Sequence, residues 1–406
     1  MGIKKSRRKF IKDTGLIAGL MAASQSTSAK NSKHFIKQSD EKEIVICVFQ
    51  RGAADGLHSI IPFGDANYFT HRPRTAINNS INLDGFFGLN PDLIALKSIW
   101  DANDLGIIHA VGSPHESRSH FDAQDSMEYA DFDKNSARKG WLAKYLQQTQ
   151  TENDRVFRSI SLNDAIQKSV KGDIEALTIS SLKNFDITTH DNLYSDTRTT
   201  LDSLFKNGEY FSNTSSVLFS AIDEIQAINP DDYPVDNNAQ YADNSFAKKL
   251  KTLSILIKAG LGVEIACVDI GGWDHHNNLI TSFKNPAQAF AKGLQAFYQD
   301  MGDKMQNITI LCMTEFGRRV ADNASNGTDH GHAGVMYAIG KQVNGGKVYS
   351  NWPGLSENNL NRGDLEVTTD FREIFTELLI KRLKFQQVSQ IIPEYTYQGG
   401  IGIFRN

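Results

Sequence analysis

Three short runs near the C-terminal third hold most of the chain's potential metal ligands. They are Gly271-Gly272-Trp273-Asp274-His275-His276, Thr314-Glu315-Phe316-Gly317-Arg318 and Thr328-Asp329-His330-Gly331-His332. Four of the 11 histidines and three acids fall within about sixty residues. Mixed imidazole and carboxylate donors suit a divalent ion such as zinc or manganese. The first two runs directly follow apolar β-branched segments, Val263–Ile270 and Ile308–Met313. Side chains placed just past the carboxyl ends of adjacent strands converge on one crevice. The pattern points to a metal-dependent α/β enzyme.

Each run also has a plainer reading. Gly271 and Gly272 permit a sharp turn that presents Asp274 at the sheet edge, but a lone acid after a strand is usually a helix cap, and Trp273 is usually core. Glu315 either caps the following helix or faces a cation. Arg318 either pairs with Glu315 or lies on the surface, or else it grips an anionic substrate oxygen with its planar fork. Asp329, His330 and His332 place three potential ligands in four residues, and Gly327 and Gly331 let that loop fold round an ion. The alternative is a solvated polar loop.

The elements that must position these groups alternate between strand and helix. Glu43–Phe49 reads as a buried strand, with Arg51-Gly52-Ala53-Ala54-Asp55-Gly56 as the turn after it. Pro91–Trp100 carries a helical apolar stripe. Gly106–Val111 is a strand, and Ser119–Ala130 a helix opening on Ser119 with Asp122 three residues on. Ser245–Ala259 is a helix ending at Gly260, and Pro286–Met301 is an amphipathic helix. Val335–Ile339 is a further strand. Thr369–Leu379 is a helix with Asp370 and Glu373 placed as a capping box. This rhythm predicts an α/β fold with a largely parallel central sheet and helices on both faces. Residues 150–245 break it. They are rich in Asn, Asp, Ser and Thr, and only Ser216–Ile228 is helically patterned. They read as an insertion of helices and loops over the core, either shaping the entrance to the site or merely decorating it.

Composition bounds the function. The 406 residues are 40% hydrophobic and 22% charged, which is globular composition. Residues 1–29 carry six basic groups and one acid, so the remainder is acidic, net −9. An acidic body disfavours nucleic acid as a partner, although a local metal still allows a small anionic substrate. Ser6-Arg7-Arg8-Lys9-Phe10-Ile11-Lys12 resembles the twin-arginine export consensus. It precedes a short apolar stretch, Leu16 to Ala23, and the small-residue end Thr27-Ser28-Ala29. That stretch is too short to span a bilayer. The expectation is a signal over 1–29, a linker over 30–42, a single domain over 43–406, and a periplasmic protein handled by the twin-arginine translocase with no stable membrane span. Cys47, Cys267 and Cys312 each lie inside an expected strand, as small buried apolar residues rather than a disulfide framework.

Six ordered motifs together resemble the twin-arginine-exported bacterial family known as domain of unknown function 1501. They are Arg51-Gly-Ala-Ala-Asp55-Gly56-Leu, Arg118-Ser119-His120-Phe121-Asp122-Ala-Gln124, Gly271-Gly-Trp-Asp-His-His276, Thr314-Glu-Phe-Gly-Arg318, Thr328-Asp-His-Gly-His332-Ala-Gly-Val and Thr369-Asp-Phe-Arg372. That family in turn is similar to the alkaline phosphatase superfamily, which includes sulfatases. The resemblance implies an alkaline-phosphatase-like fold and a metal-dependent hydrolase of phosphate or sulfate esters. Asp55, Asp274, His276, Glu315 and His332 would hold one or two ions, zinc or manganese, with His330 in reserve. Ser119 would be the nucleophile, matching a Ser or Thr at a helix N-terminus, and Arg318 or Arg118 would steady the substrate oxyanions. Phe316 departs from the superfamily's Asp-His pair and removes one ligand, so His120 or a water fills the gap, or a single ion binds. Ser113-Pro114-His115-Glu116-Ser117-Arg118 has the wrong spacing and no cysteine for a formylglycine sulfatase. On the bare residues Ser119 is equally an N-cap, worth about 1 kcal/mol. The rival functions are a binding protein that keeps the fold without hydrolysis, and a structural partner acting through residues 150–245.

Overall fold

Ile44–Gln50 (β1) is apolar at all but its last position, and every residue in it is buried. A strand of that kind is covered on both faces. Ile44, Ile46 and Val48 enter one apolar core, and Val45, Cys47 and Phe49 the other, following the period of two that a pleated strand imposes. The computed structural model describes residues 42–132, 138–151, 155–187, 189–190, 193–206 and 212–406. The expected signal and most of the expected linker lie outside the described residues.

Eight further strands join β1: Leu105–Gly112 (β2), Ser159–Ser161 (β3), Leu177–Thr178 (β4), Ile265–Ile270 (β5), Ile308–Met313 (β6), Gly334–Ile339 (β7), Lys347–Tyr349 (β8) and Thr369–Asp370 (β9). Their order is β8-β2-β7-β6-β1-β5-β3-β4, with β9 also on β2. Every pairing is parallel except those of β7, which runs against both its neighbours. Helices cover both faces. Ser245–Lys258 and Leu279–Met301 pack on one through Phe246, Leu250, Phe290 and Leu294. Trp141–Gln148 and Phe371–Lys381 pack on the other through Trp141, Leu146, Phe371 and Phe375. The fold is α/β with a mostly parallel sheet. The three cysteines are free and buried within it.

Three details differ from the sequence reading. The 150–245 stretch supplies β3 and β4, which extend the main sheet. They are three and two residues long and include Ser159 and Ser161, so no apolar run marks them. The helix expected to open at Pro286 begins at Leu279 and carries Pro286 inside it. The Asp370 carboxylate caps the Arg372 amide as expected, but Glu373 does not reach back to complete a box; it holds Tyr395 and the Gly400 amide.

His109 on β2 is fully buried between two backbone partners. Its Nε2 donates to the Ile60 carbonyl (3.1 Å) and its Nδ1 accepts from the Ala110 amide (2.8 Å). Burial pushes this imidazole down to about 4. The unfolded chain therefore takes up the proton first as pH falls through about 6.5. The stabilisation is present above that pH and is lost progressively toward pH 4. Urea midpoints are expected to drop between pH 7.5 and 5.0, and to drop less in His109→Gln, which keeps a donor but does not titrate. Equal slopes in the two proteins would contradict this.

Candidate metal centre

All the chemistry sits at one rim of the sheet. The loops after β1, β2, β5 and β6 leave from the carboxyl ends of parallel strands. Because β7 is reversed, its amino end lies at the same rim, so the 328–333 run enters the site from the opposite chain direction. Above the sheet the 315–319 and 329–333 segments continue as a ladder: the Gly317 amide donates to the His332 carbonyl (2.7 Å), Gly331 N to Gly317 O (2.9 Å) and Arg319 N to Asp329 O (2.9 Å). A Cβ at Gly317 would lie 1.8 Å from the Ala333 carbonyl oxygen, so only glycine permits this approach.

His120, Asp274 and His330 come together, with one ligand atom from each lying within 4.8 Å of the others. His276 joins them: its Nε2 is 3.0 Å from Asp274 Oδ1 and 3.0 Å from His330 Nε2. Proton placement follows from the outer partners. His330 Nδ1 meets the Arg118 carbonyl (3.0 Å), which can only accept, so Nδ1 carries the proton and Nε2 a lone pair. His276 Nδ1 meets the Asp329 carboxylate (3.2 Å) with the same result. His120 Nδ1 donates to Glu315 Oε1 (2.8 Å), and its Nε2 is buried with no hydrogen-bond partner. Three imidazole lone pairs thus surround one carboxylate. Holding the outer ring nitrogen on an oxygen is what orients a metal-binding histidine.

The spacing also fits an ion. Asp274 oxygens lie 3.0 Å from His276, 3.2 Å from His330 and 3.6 Å from His120. A tetrahedral shell with zinc-length bonds has ligand–ligand edges of about 3.3 Å. Burial works against charge on Asp274, but the Arg318 guanidinium outweighs it and brings the carboxyl down to about 2. Glu315, almost fully buried, also accepts from the Gly52 amide (3.0 Å) and Gln124 (2.9 Å). Burial raises its carboxyl, yet the bonds from His120 and Gln124 hold it below the usual carboxylate range. The Glu315 bond pushes His120 above the ordinary imidazole range, while burial pushes His330 below it.

Phe316 packs with Ala53 and Ala123 and walls the site, its ring 5.1 Å from His120 and 5.0 Å from His330. His120 is carried into the cluster by the helix His120–Tyr129 (α1). On α1, His120, Gln124 and Glu128 recur every four residues and share one face. Arg51 grips Glu128 through two nitrogens at 2.7 and 3.0 Å and so ties that face to the end of β1.

Several expected ligands are placed elsewhere. Asp55 is buried with both oxygens engaged: Arg72 lies 3.0 Å away, the His58 amide 3.0 Å and the Thr328 hydroxyl 2.9 Å. Its charged partner is thus an arginine, and it lies outside the His120, Asp274 and His330 cluster. His332 gives its Nε2 proton to the Ser113 carbonyl (2.7 Å), outside the cluster. Glu315 orients His120 rather than offering an oxygen of its own. Arg318 is neither a surface charge nor a partner of Glu315, and it has no fork left for substrate. It is buried and donates to the carbonyls of Ala53 (2.8 Å), Thr328 (2.9 Å), Gly52 (2.7 Å) and Trp273 (3.3 Å), and to Asp274. Arg118 pairs with Asp364. Ser119 occupies the N-cap position of α1, but its side chain caps no amide. The sequence reading named His120 only as a stand-in, and it missed Arg51 and Glu128, whose contribution needs the helix face to be known.

Residues 102–381 match the model of a family described as protein of unknown function (DUF1501). The chain belongs to this family. Among curated proteins nothing matches. Solved structures similar to this DUF1501 protein include the lipoteichoic acid synthase LtaP from Listeria monocytogenes, 8% identical with a TM-score of 0.37, covering 90% of this chain and 74% of that one. The alkaline phosphatase from the Antarctic bacterium TAB5 is 6% identical at a TM-score of 0.31, covering 74% of this chain and 93% of that one. A protein in the alkaline phosphatase superfamily from Vibrio parahaemolyticus is 10% identical at 0.29, covering 85% and 71%. At such TM-scores no residue role passes from these proteins to the DUF1501 chain. No helix among the described residues is long and apolar enough to cross a membrane.

Proposed function

We propose that this chain is a metal-dependent hydrolase of phosphate or sulfate esters, exported to the periplasm by the twin-arginine route. The observation that carries the metal reading is the facing pair of Nε2 atoms on His276 and His330, 3.0 Å apart. Both rings have their protons on the far side, so two lone pairs and Asp274 point at one another. That arrangement favours a cation among them. His120, Asp274 and His330 would hold the ion, with His276 alongside. Three imidazoles and one carboxylate suit zinc, and manganese less well; magnesium and calcium prefer oxygen shells. A bound ion would polarise the ester and offset charge on the transferred group.

The remaining groups serve the substrate. Ser119 precedes His120 at the start of α1, where the helix dipole favours negative charge, and its hydroxyl is uncommitted as a cap; it is the candidate nucleophile. Arg118, half-exposed on the adjoining turn, would steady an oxyanion. Metal analysis of the purified protein, then turnover of aryl phosphates and sulfates under varied metal loading, tests the reading. Absence of both metal and turnover would refute it. Glu315→Gln removes the anionic acceptor behind His120 and is expected to weaken metal binding by roughly 10- to 100-fold, measured by calorimetry; unchanged affinity would remove Glu315 from this role.

A binding protein on the same frame is the second reading, favoured by Phe316 standing where the superfamily pattern has a ligand. Ser119→Ala separates the two: a hydrolase loses turnover, whereas a binder keeps its ligand affinity.

A further inference from the structure

With Arg318 fully committed, the oxyanion-holding role needs another guanidinium, and the next residue supplies one. Arg319 is half-exposed and makes no hydrogen bond from its guanidinium among the described residues. Its nearest carboxylate oxygen, Asp364 Oδ1, is 3.9 Å away and itself has no hydrogen-bond partner. Arg118 pairs with the other oxygen of the same Asp364. Two arginines therefore share one buried carboxylate. The other nearby acids are held elsewhere: Asp329, which also attracts Arg319, bonds His276 and Asn323, and Glu116 bonds Arg362 and Asn361.

Both arginines are wired to the imidazoles. The Arg118 carbonyl holds His330 Nδ1, and the Arg319 amide is bonded to the Asp329 carbonyl, whose own carboxylate holds His276. The backbone of each arginine is thus bonded to the segments that carry the candidate metal ligands. Arg319 lies against Gly363, where a Cβ would come within 2.7 Å of its Nη1, so the 361–364 turn leaves room for the fork.

We propose that Arg319, together with Arg118, forms a subsite for a tetrahedral oxyanion, the phosphate or sulfate group of the substrate; this rests on the hydrolase reading above. Asp364 holds the pair apart and its remaining oxygen restrains Arg319 until an anion displaces it.

The test is calorimetric binding of inorganic phosphate and of sulfate to the full chain, metal-free and zinc-loaded, for wild type, Arg319→Ala and Arg319→Lys. Zinc stoichiometry and the melting temperature serve as folding controls. The expected result is that Arg319→Ala weakens anion binding on the order of 10- to 100-fold with zinc binding unchanged, and that Arg319→Lys recovers only part, because an ammonium lacks the fork. Anion binding that survives Arg319→Ala overturns the subsite, as does a zinc-binding wild type with no affinity for either anion. If anions bind through Arg319 but zinc does not bind at all, the subsite stands and the metal reading falls. If neither binds, both fall.

Discussion

Arg318→Met is expected to cost about 3–5 kcal/mol of folding stability, the range for removing one partner from a buried charged network. Methionine fills similar volume but donates nothing. Three carbonyls, from Gly52, Ala53 and Thr328, would lose their donor together, that of Trp273 would keep only the His275 amide, and Asp274 would lose its counter-charge. Those groups lie on three separate loops, after β1, after β5 and before β7. Among the described residues the guanidinium is the only group that bonds all three at once. Urea denaturation of wild type and variant measures the loss. A difference below about 1 kcal/mol would show that the loops hold their places without it. Arg318→Lys is not a rescue, since one ammonium cannot reach carbonyls arrayed around a planar fork.

Asp274→Ala gives the largest expected functional effect with a small structural one. It removes the only carboxylate among the ligand atoms, so metal affinity should fall by more than the roughly 100-fold upper range for a supporting residue, and ester turnover should fall with it. Arg318 keeps its four carbonyls, so stability should change by no more than about 1–2 kcal/mol. Asp55→Asn makes the opposite pattern. It takes the charge from the partner of fully buried Arg72, so it should destabilise strongly while leaving metal affinity per folded molecule unchanged. Calorimetric titration with zinc, paired with melting curves, reads both. If Asp55→Asn abolishes zinc binding in folded protein while Asp274→Ala retains it, the ligand set derived from the geometry is wrong.

Much of the frame was legible in the residues. β1, β2, β5, β6 and β7 announce themselves as apolar runs, and their order with the intervening helices implies a parallel sheet. The gathering of Asp274, His276, Glu315, Arg318 and His330 at one rim follows from those strand ends. What the residues could not disclose is which polar groups are already engaged by distant parts of the chain. Asp55 and Asp274 both follow a strand and both look like ligands, yet a buried arginine takes the first. His332 sits two residues from His330, but its partner is the Ser113 carbonyl, 219 positions away. Arg318 meets carbonyls up to 266 positions distant. Such commitments are tertiary, and local spacing carries no trace of them. His120 lies far along the chain from the histidine-rich runs, at the start of a helix, so spacing alone did not join it to them. The reversed direction of β7 was likewise hidden, since an apolar run reads the same both ways.

The central position of β1 has a consequence for how the molecule is made. Its two neighbours are residues 265–270 and 308–313, with Val45 opposite Ile265 and Ile44 opposite Ile308. During synthesis this sticky ribbon emerges early and waits, both flanks bare, until more than two hundred further residues have left the ribosome. Delayed pairing of that kind slows folding and invites wrong partners. A nascent chain of this protein therefore needs shielding near its front end, and any product cut short before residue 313 exposes an unprotected strand primed to clump.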